Sequence, residues 1–193
     1  MPWDTPHSLE LKHNDVIEVK YEKNQCENVI VMSKSEIVIV GAGLAGLLAA
    51  SKFIDSEYDV ILLEQDNMLG GSLNSSQKIK TIENLETREW LKKIENLIKK
   101  SKNIKIFKNT LATSYNQTNH IIALEDNSVG KPLASHKPEL ILHKIRTKHT
   151  ILSNGHIERL ISFRNNDLPG VMLAGSFEKY IFRYGVIPET EPI

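Results

Sequence analysis

Short apolar runs punctuate the chain, and the most regular group of them lies between residues 36 and 64. Residues 36–40 and 59–64 are β-branched and leucine-rich, which is typical of buried parallel strands. Residues 44–53 between them are rich in leucine and alanine, which predicts a helix packed on the first strand. This strand, helix and strand order predicts an α/β fold with a parallel sheet.

The elements further along the chain extend this sheet. Residues 85–100 place apolar side chains at helical spacing, and residues 104–107 resemble a third parallel strand. Residues 111–115 and 120–124 flank a polar turn and predict a hairpin. We expect a β-meander packed on the parallel sheet, then a strand at residues 150–155 that returns to the sheet. A last helix carries Phe177, Tyr180, Ile181 and Tyr184 on one face.

Three glycines stand where the first strand meets the helix. Gly41 allows a tight turn, Gly43 lets backbone approach a ligand without a Cβ, and Gly46 lets the helix pack close to the sheet. Unpaired N–H groups at the start of a helix, together with its dipole, favour a bound pyrophosphate. The spacing therefore predicts a dinucleotide site. The alternative is a glycine-rich turn without a ligand, which the flanking strands and helix disfavour.

A carboxylate at the end of the second strand supports the same interpretation. Glu64 follows Gly46 by eighteen residues and is placed to accept hydrogen bonds from an adenosine ribose. Its charge would repel the 2′-phosphate of NADP, so NAD and FAD remain. Gly70 and Gly71 then either pass close over the cofactor or form a plain turn. Asn166 and Asp167 are interpreted as turn formers rather than ligand contacts.

Composition excludes several other classes of protein. Lys+Arg and Asp+Glu both number 24, so no net charge attracts nucleic acid or an anionic membrane. Cys26 is the single cysteine, and the histidines lack ligand spacing, so we expect no metal site. No apolar run approaches the ~20 residues of a spanning helix. We expect a cytoplasmic protein.

Two sets of residues carry a resemblance to known families. Residues 38–46, Glu64 and Gly70–Gly71 resemble the FAD/NAD-binding signature of the flavoprotein disulfide-reductase-like superfamily. A narrower likeness lies in residues 155–159, 166–174 and 180–186, which resemble the alpha subunit of heterotetrameric sarcosine oxidase. Where those alpha subunits usually have Ala-Thr-Gly at a strand end near the cofactor, this chain has Ser153-Asn154-Gly155.

The resemblance implies a cofactor-binding component of a complex that oxidises sarcosine or a related secondary amine. It implies NAD in this domain, with FAD as the alternative, and FAD and FMN on a partner beta subunit or its interface. No catalytic residue is expected in this chain. The predicted cofactor-binding residues are Gly41, Ala42, Gly43, Leu44, Ala45, Gly46, Glu64, Gln65, Gly70, Gly71, Ser72, Asn154 and Gly155.

The likeness also suggests a division of the chain. Residues 1–35 are interpreted as a leader, residues 36–186 as a Rossmann-like dinucleotide-binding domain incomplete at its C-terminus, and residues 187–193 as a tail. The leader is too short for the ferredoxin-like domain that alpha subunits carry, so we expect a split or truncated version. The alternative hypothesis is a non-catalytic remnant that keeps the dinucleotide site, and a self-contained flavoenzyme ranks below both.

Overall fold

A computed structural model describes residues 17–21, 28–76, 78–129 and 140–187. Most of the predicted leader, with Cys26, and most of the predicted tail lie outside these residues. The division into leader, domain and tail stays a prediction. The remaining residues form the predicted α/β fold with a Rossmann-like parallel sheet.

Within the described residues the chain forms nine strands, three α-helices and one 3-10 helix. The strands are β1 (Ile17–Tyr21), β2 (Asn28–Val40), β3 (Val60–Leu63), β4 (Thr81–Ile82), β5 (Leu85–Glu86), β6 (Ile104–Phe107), β7 (Thr110–Asn116), β8 (His120–Asp126) and β9 (Leu140–Leu152). The helices are α1 (Leu44–Ser51), α2 (Thr87–Lys100) and α3 (Ala174–Tyr184), with the 3-10 helix at Gly71–Asn74.

One seven-stranded sheet organises these elements, in the order β6, β3, β2, β9, β8, β7, with β1 also paired to β2. Strands β6, β3, β2 and β9 are parallel, whereas β1, β8 and β7 pair antiparallel. β4 and β5 form a separate two-stranded sheet. Because β2 pairs with β9 from Val29 to Val40, these two long strands join the parallel part to the meander.

Two strand boundaries differ from the sequence prediction. β2 begins at Asn28 rather than at residue 36, because Val29 to Ser35 pair with β9 even where their side chains are polar. The apolar residues near 140 and the predicted strand at 150–155 are one strand, β9, which ends at Leu152. Sequence hydropathy missed this continuity because Arg146 to His149 form a polar interruption that the backbone pairing bridges.

One backbone carbonyl holds β2 against the start of β3. The N–H groups of Glu36 and Ile37 both donate to the Asp59 carbonyl, at 3.1 Å each, and the Ser35 hydroxyl donates to the same oxygen at 2.8 Å. The pairing of β2 with β9 keeps its register across this point, from Ser35 with Thr147 to Ile37 with His149. The alternation of faces therefore continues along β2, so that Ile37 and Val38 enter the cores on opposite faces of the sheet.

The core on the helix side of the sheet is built around α1 and α2. The buried residues of α2 include Trp90, Ile94 and Ile98, which recur at helical spacing and pack against Ile37 and Leu62 of the sheet. Trp90 is almost fully buried, and its ring N–H donates to Glu83 at 3.1 Å. The predicted amphipathic helix is therefore confirmed.

A second core lies on the opposite face of the sheet. Its buried members come from the parallel strands and from the meander, and they are Val38, Ile61, Leu63, Ile121, Ala123 and Ile145. The predicted packing of the meander on the parallel sheet is thus confirmed. The predicted hairpin is also present, with its turn closed by Asn119 N–H on the Asn116 carbonyl at 3.0 Å.

Among the residues that the structure describes, no helix combines the length and the apolar character needed to cross a membrane. The longest, α2, has 14 residues and carries a lysine-rich outer face.

Removing a side chain from the helix-side core is expected to destabilise the fold. Leu62 is fully buried, so Leu62→Ala should lower the free energy of unfolding by about 2–5 kcal/mol. Leu97→Ala is the matched control, because Leu97 is 43% exposed on α2 and should change stability by about 0.5 kcal/mol or less. Urea unfolding of both variants measures the difference, and equal losses would contradict this assignment of the core.

Candidate functional site

The turn between β2 and α1 brings together the residues of the predicted glycine motif. We call residues 41–46 the glycine turn. Gly41 has a φ of +93° and donates its N–H to the Leu63 carbonyl at 2.8 Å. A Cβ at Gly41 would lie 2.5 Å from the Ser153 carbonyl oxygen. Both the backbone conformation and the close approach of β9 therefore require glycine here.

Gly46 sets the distance between α1 and the sheet. A Cβ at this position would lie 1.9 Å from the Gly41 carbonyl oxygen and 2.7 Å from Ser153 Oγ. The Ser153 hydroxyl is also within hydrogen-bond distance of the Val40 carbonyl, at 2.9 Å, and of the Gly41 carbonyl, at 2.8 Å. The close helix packing predicted for Gly46 is confirmed, and Ser153 is a supporting residue that the sequence motif did not reveal.

Gly43 differs from the other two glycines because the space around it is open. It is the N-cap of α1, and no side chain of the described residues caps this helix end. A Cβ at Gly43 would meet nothing within 4 Å. In the first backbone hydrogen bond of α1, Leu47 N–H donates to the Gly43 carbonyl at 2.9 Å. The N–H groups before Leu47 therefore lack partners within the helix.

The other members of the glycine turn have distinct environments. Ala42 is fully buried, Leu44 packs at the edge of the helix-side core, and Ala45 is exposed at the start of α1. None of residues 41–46 carries a polar side chain, so an anion at this turn would be held by backbone N–H groups.

Glu64 lies directly beside this turn and is 5% exposed. Its Oε2 accepts the Ala42 N–H at 2.7 Å, and its Oε1 accepts the Asp66 N–H at 2.9 Å. A carboxylate offers about four acceptor positions, so both oxygens keep a lone pair. Gln65, the next residue, is exposed.

The Gly70–Gly71 pair closes over the glycine turn. Gly70 N–H donates to the Ala42 carbonyl at 2.8 Å, and a Cβ on Gly71 would lie 3.1 Å from Gly43 Cα. Both glycines have positive φ, of 114° and 52°. The chain therefore passes close to Gly43, and exposed Ser72 follows in the 3-10 helix. The approach of Gly70 and Gly71 to a cofactor stays a prediction.

The end of β9 supplies the last two predicted residues. A Cβ on Gly41 would lie 3.1 Å from Asn154 Cα, so Asn154 is next to the glycine turn. Gly155 has a φ of +69° and open space around it. The structure thus gathers Asn154 at the site and places Gly155 at its margin.

The segment after β9 contains turns where the sequence predicts them. Leu168-Pro169-Gly170 is followed by Val171, whose N–H donates to the Leu168 carbonyl at 3.1 Å, while Gly170 has a φ of +93°. These values describe a type II turn. Asn166 and Asp167 occupy the preceding turn, closed by Leu168 N–H on the Asn165 carbonyl at 3.2 Å, so the predicted turn is present.

An ion pair near the site was not apparent from the sequence. Arg183 of α3 binds Asp66 with both of its terminal nitrogens, one at 2.6 Å, and also donates to Asn67 at 3.2 Å. The Arg183 guanidinium holds the pKa of the Asp66 carboxyl below its ordinary value, with a further contribution from the Asn67 N–H. In return, Asp66 raises the pKa of Arg183.

The described residues offer few other candidate functional groups. No group of three or more histidine, cysteine, aspartate or glutamate residues could hold a metal ion there. His143 is buried and pairs with Glu125 at 2.7 Å, inside the meander rather than at the glycine turn. A cavity of about 870 Å³ lies between α2, α3 and the loop after Glu64, and no residue of the glycine turn lines it.

Comparison with known proteins identifies the class of domain. Residues 39–88 match the family model described as an NAD(P)-binding Rossmann-like domain. The matched region includes the glycine turn, Glu64 and the Gly70–Gly71 pair. The chain therefore contains a dinucleotide-binding domain of the Rossmann-like class.

Relatives that match most of this chain narrow the class of domain further. Sarcosine oxidase subunit alpha from Corynebacterium sp. (strain U-96) is 34% identical over 156 residues, which are 79% of this chain and 16% of the relative. The protein of the same name from Rhizobium meliloti (strain 1021) is 32% identical over 159 residues, again 16% of its length. The predicted resemblance to sarcosine oxidase alpha subunits is confirmed, and the chain spans only a small part of those relatives.

A solved structure supports the fold. L-proline dehydrogenase from P. horikoshii superposes with a TM-score of 0.60 at 23% identity, covering 81% of this chain and 30% of that protein. At this identity the likeness concerns the fold alone.

Gly46 is expected to tolerate no side chain. Gly46→Ala places a Cβ against the Gly41 carbonyl and should cost about 3 kcal/mol, the upper range for overpacking. Gly43→Ala is the control, because the same methyl group meets open space and should cost no more than about 1 kcal/mol. Thermal unfolding of both variants tests this, and equal melting temperatures would refute the close contact.

Stability should depend on pH through Asp66. Because its pKa is lower in the folded chain than the unfolded value of about 3.9, the stabilisation is present above about pH 4 and is lost as the pH falls below it. Asp66→Asn should therefore flatten the fall in stability between about pH 5 and pH 3. Asp167→Asn, in an exposed turn, is the control. Identical pH profiles for Asp66→Asn and the parent chain would show that the ion pair contributes nothing.

Proposed function

We propose that the glycine turn binds the ADP part of an adenine dinucleotide, with NAD as the leading ligand and FAD as the alternative. The observation that carries this proposal is the open N-terminus of α1 at Gly43, directly beside the buried carboxylate of Glu64. A pyrophosphate needs unpaired N–H groups and a backbone without Cβ atoms. A ribose needs an acceptor nearby, which Glu64 supplies.

The residues present fit such a group. The N–H groups ahead of Leu47 are available to phosphate oxygens, while Ala42 N–H is committed to Glu64. Glu64 keeps acceptor capacity on both oxygens for ribose hydroxyls. A Cβ on Gly71 would lie 3.1 Å from Gly43 Cα, so a side chain there would crowd the turn that the pyrophosphate would contact. Asn154 adds polar groups at the same edge of the sheet.

Such a dinucleotide, when bound, supplies hydride transfer chemistry. This chain would bind and orient it, and we assign no catalytic side chain here. Glu64 also sets specificity, because a 2′-phosphate beside a carboxylate is repelled. We therefore place NADP below NAD as a ligand of this site.

We further infer that the chain is the dinucleotide-binding part of an oxidoreductase complex acting on sarcosine or a similar secondary amine. The names of the two relatives support this inference, since both are subunits of a sarcosine oxidase. In that arrangement a flavin-carrying beta subunit would hold FAD and FMN. The setting we expect is the cytoplasm.

Ligand binding tests the first part of the proposal. The parent chain should bind NAD or FAD and should bind NADP at least about tenfold more weakly, because of charge repulsion at Glu64. Gly43→Val should abolish binding without lowering the melting temperature by more than a few degrees, since its side chain enters the ligand space. Ser114→Val adds the same side chain on exposed β7 and should leave affinity unchanged.

Calorimetric titration measures these affinities. Unchanged binding by Gly43→Val would remove the glycine turn from consideration as the site. Native mass spectrometry of the chain co-expressed with its neighbouring genes tests the second part, because it reports cofactor mass and partner subunits together. A chain that recruits no flavoprotein partner would contradict the proposed complex.

A further inference from the structure

Helix α3 is tied to the loop that follows Glu64 by a two-pronged ion pair. Both terminal nitrogens of Arg183 contact the two carboxylate oxygens of Asp66, and Arg183 also reaches the Asn67 side chain at 3.2 Å. Such bidentate pairs fix geometry more strongly than a single contact. The two residues are 117 positions apart in the chain, so the pair is a tertiary contact.

This ion pair is shielded from solvent more than a second ion pair that α3 makes, between Glu178 and Lys78. The side chain of Arg183 is 12% exposed and that of Asp66 is 29% exposed. The second link, Lys78 with Glu178, has a distance of 3.4 Å, and its lysine is 80% exposed. Exposed pairs contribute little, whereas a partly buried bidentate pair holds its partners in place. Of these two ion pairs, the one between Arg183 and Asp66 is therefore the stronger link between α3 and the rest of the domain.

The anchor continues into the candidate site through a chain of short hydrogen bonds. The N–H of Asp66, whose side chain Arg183 holds, donates to Glu64 Oε1 at 2.9 Å. The other oxygen of Glu64 accepts the Ala42 N–H at 2.7 Å, inside the glycine turn. Gly70, at the far end of the same loop, donates its N–H to the Ala42 carbonyl at 2.8 Å. Arg183 thus acts on the orientation of Glu64 through one intermediate residue.

Charge supports the same arrangement. Glu64 and Asp66 are two carboxylates separated by one residue, and the Arg183 guanidinium interacts with both, since each raises its pKa. Lys179, one turn earlier on α3, adds a weaker favourable interaction with Asp66. The last turn of α3 therefore carries the positive charge that compensates the acidic end of β3.

We propose that Arg183 is a positioning residue for the dinucleotide site, which holds Asp66 so that Glu64 and the loop to Gly70 are preset for the ADP moiety. The proposal rests on the proposed function and adds a dependence of cofactor affinity on α3. The competing explanation is a purely structural anchor, in which Arg183 only keeps α3 attached to the domain.

Affinity and stability measured together separate the two explanations. ADP-ribose is the probe, titrated calorimetrically into the full chain, and the melting temperature is recorded without ligand. Arg183→Gln should weaken ADP-ribose binding about tenfold, which lies within the range that residues without ligand contact reach. The control Glu178→Gln, which removes the second ion pair of α3, should leave the affinity within about twofold of the parent.

A charge exchange provides the rescue. Asp66→Arg alone should weaken binding, and Asp66→Arg combined with Arg183→Asp should recover part of the lost affinity because the pair is restored in reverse. Arg183→Lys keeps the charge but not the bidentate geometry, so it should fall between Arg183→Gln and the parent. If Arg183→Gln does not fold, Arg183→Lys and the charge exchange carry the test.

Backbone amide signals in NMR spectra report on the site independently of ligand affinity. In Arg183→Gln the N–H signals of Asp66 and Ala42 should shift or exchange faster with solvent, whereas in Glu178→Gln they should not. Unchanged affinity in Arg183→Gln with a lowered melting temperature would overturn the positioning role and leave a structural anchor. A parent chain that fails to bind ADP-ribose would instead overturn the proposed function, and the positioning role would fall with it.

Discussion

The structure depends on the close approach of α1 to the ends of β2 and β9. At Gly46 there is room for a hydrogen atom and nothing larger, because the Gly41 carbonyl and the Ser153 side chain occupy the adjacent space. This contact fixes where the helix begins relative to the sheet. The free N–H groups of α1 consequently point to the same edge at which β3 presents Glu64. The contact that packs α1 on the sheet therefore also places the parts of the candidate site.

The long paired strands β2 and β9 connect this helix packing to the rest of the sheet. At one end these strands belong to the parallel sheet beneath α1 and α2, and at the other they begin the antiparallel meander. The unbroken alternation of β2 serves both cores, since Ile37 and Ile39 lie on the helix-side face and Val38 lies on the other. Near Ser35 the Glu36 and Ile37 N–H groups share the Asp59 carbonyl, and the Ser35 hydroxyl lies within hydrogen-bond distance of the same oxygen.

Local patterns explain which features the sequence revealed. The glycine turn, the amphipathic α2 and the hairpin at Asn116–Asn119 depend on residues close together in the chain, so spacing alone identifies them. The start of β2 and the continuity of β9 were missed because polar residues such as Lys34 and Arg146 pair through their backbone. Ser153 and Arg183 were missed for a different reason. Each acts more than 100 positions away in sequence, where periodicity carries no signal.

The environment of Glu64 explains how a carboxylate is kept at a buried position. Removing an ionised carboxylate from water is costly unless hydrogen bonds and opposite charge compensate it. Here two backbone N–H groups bind its oxygens, and the Arg183 guanidinium lies near enough for a favourable interaction. The compensation comes from the glycine turn, from the loop after β3 and from α3. Since the glycine turn and α3 are distant from Glu64 in sequence, the partners that compensate its burial are brought together only by folding.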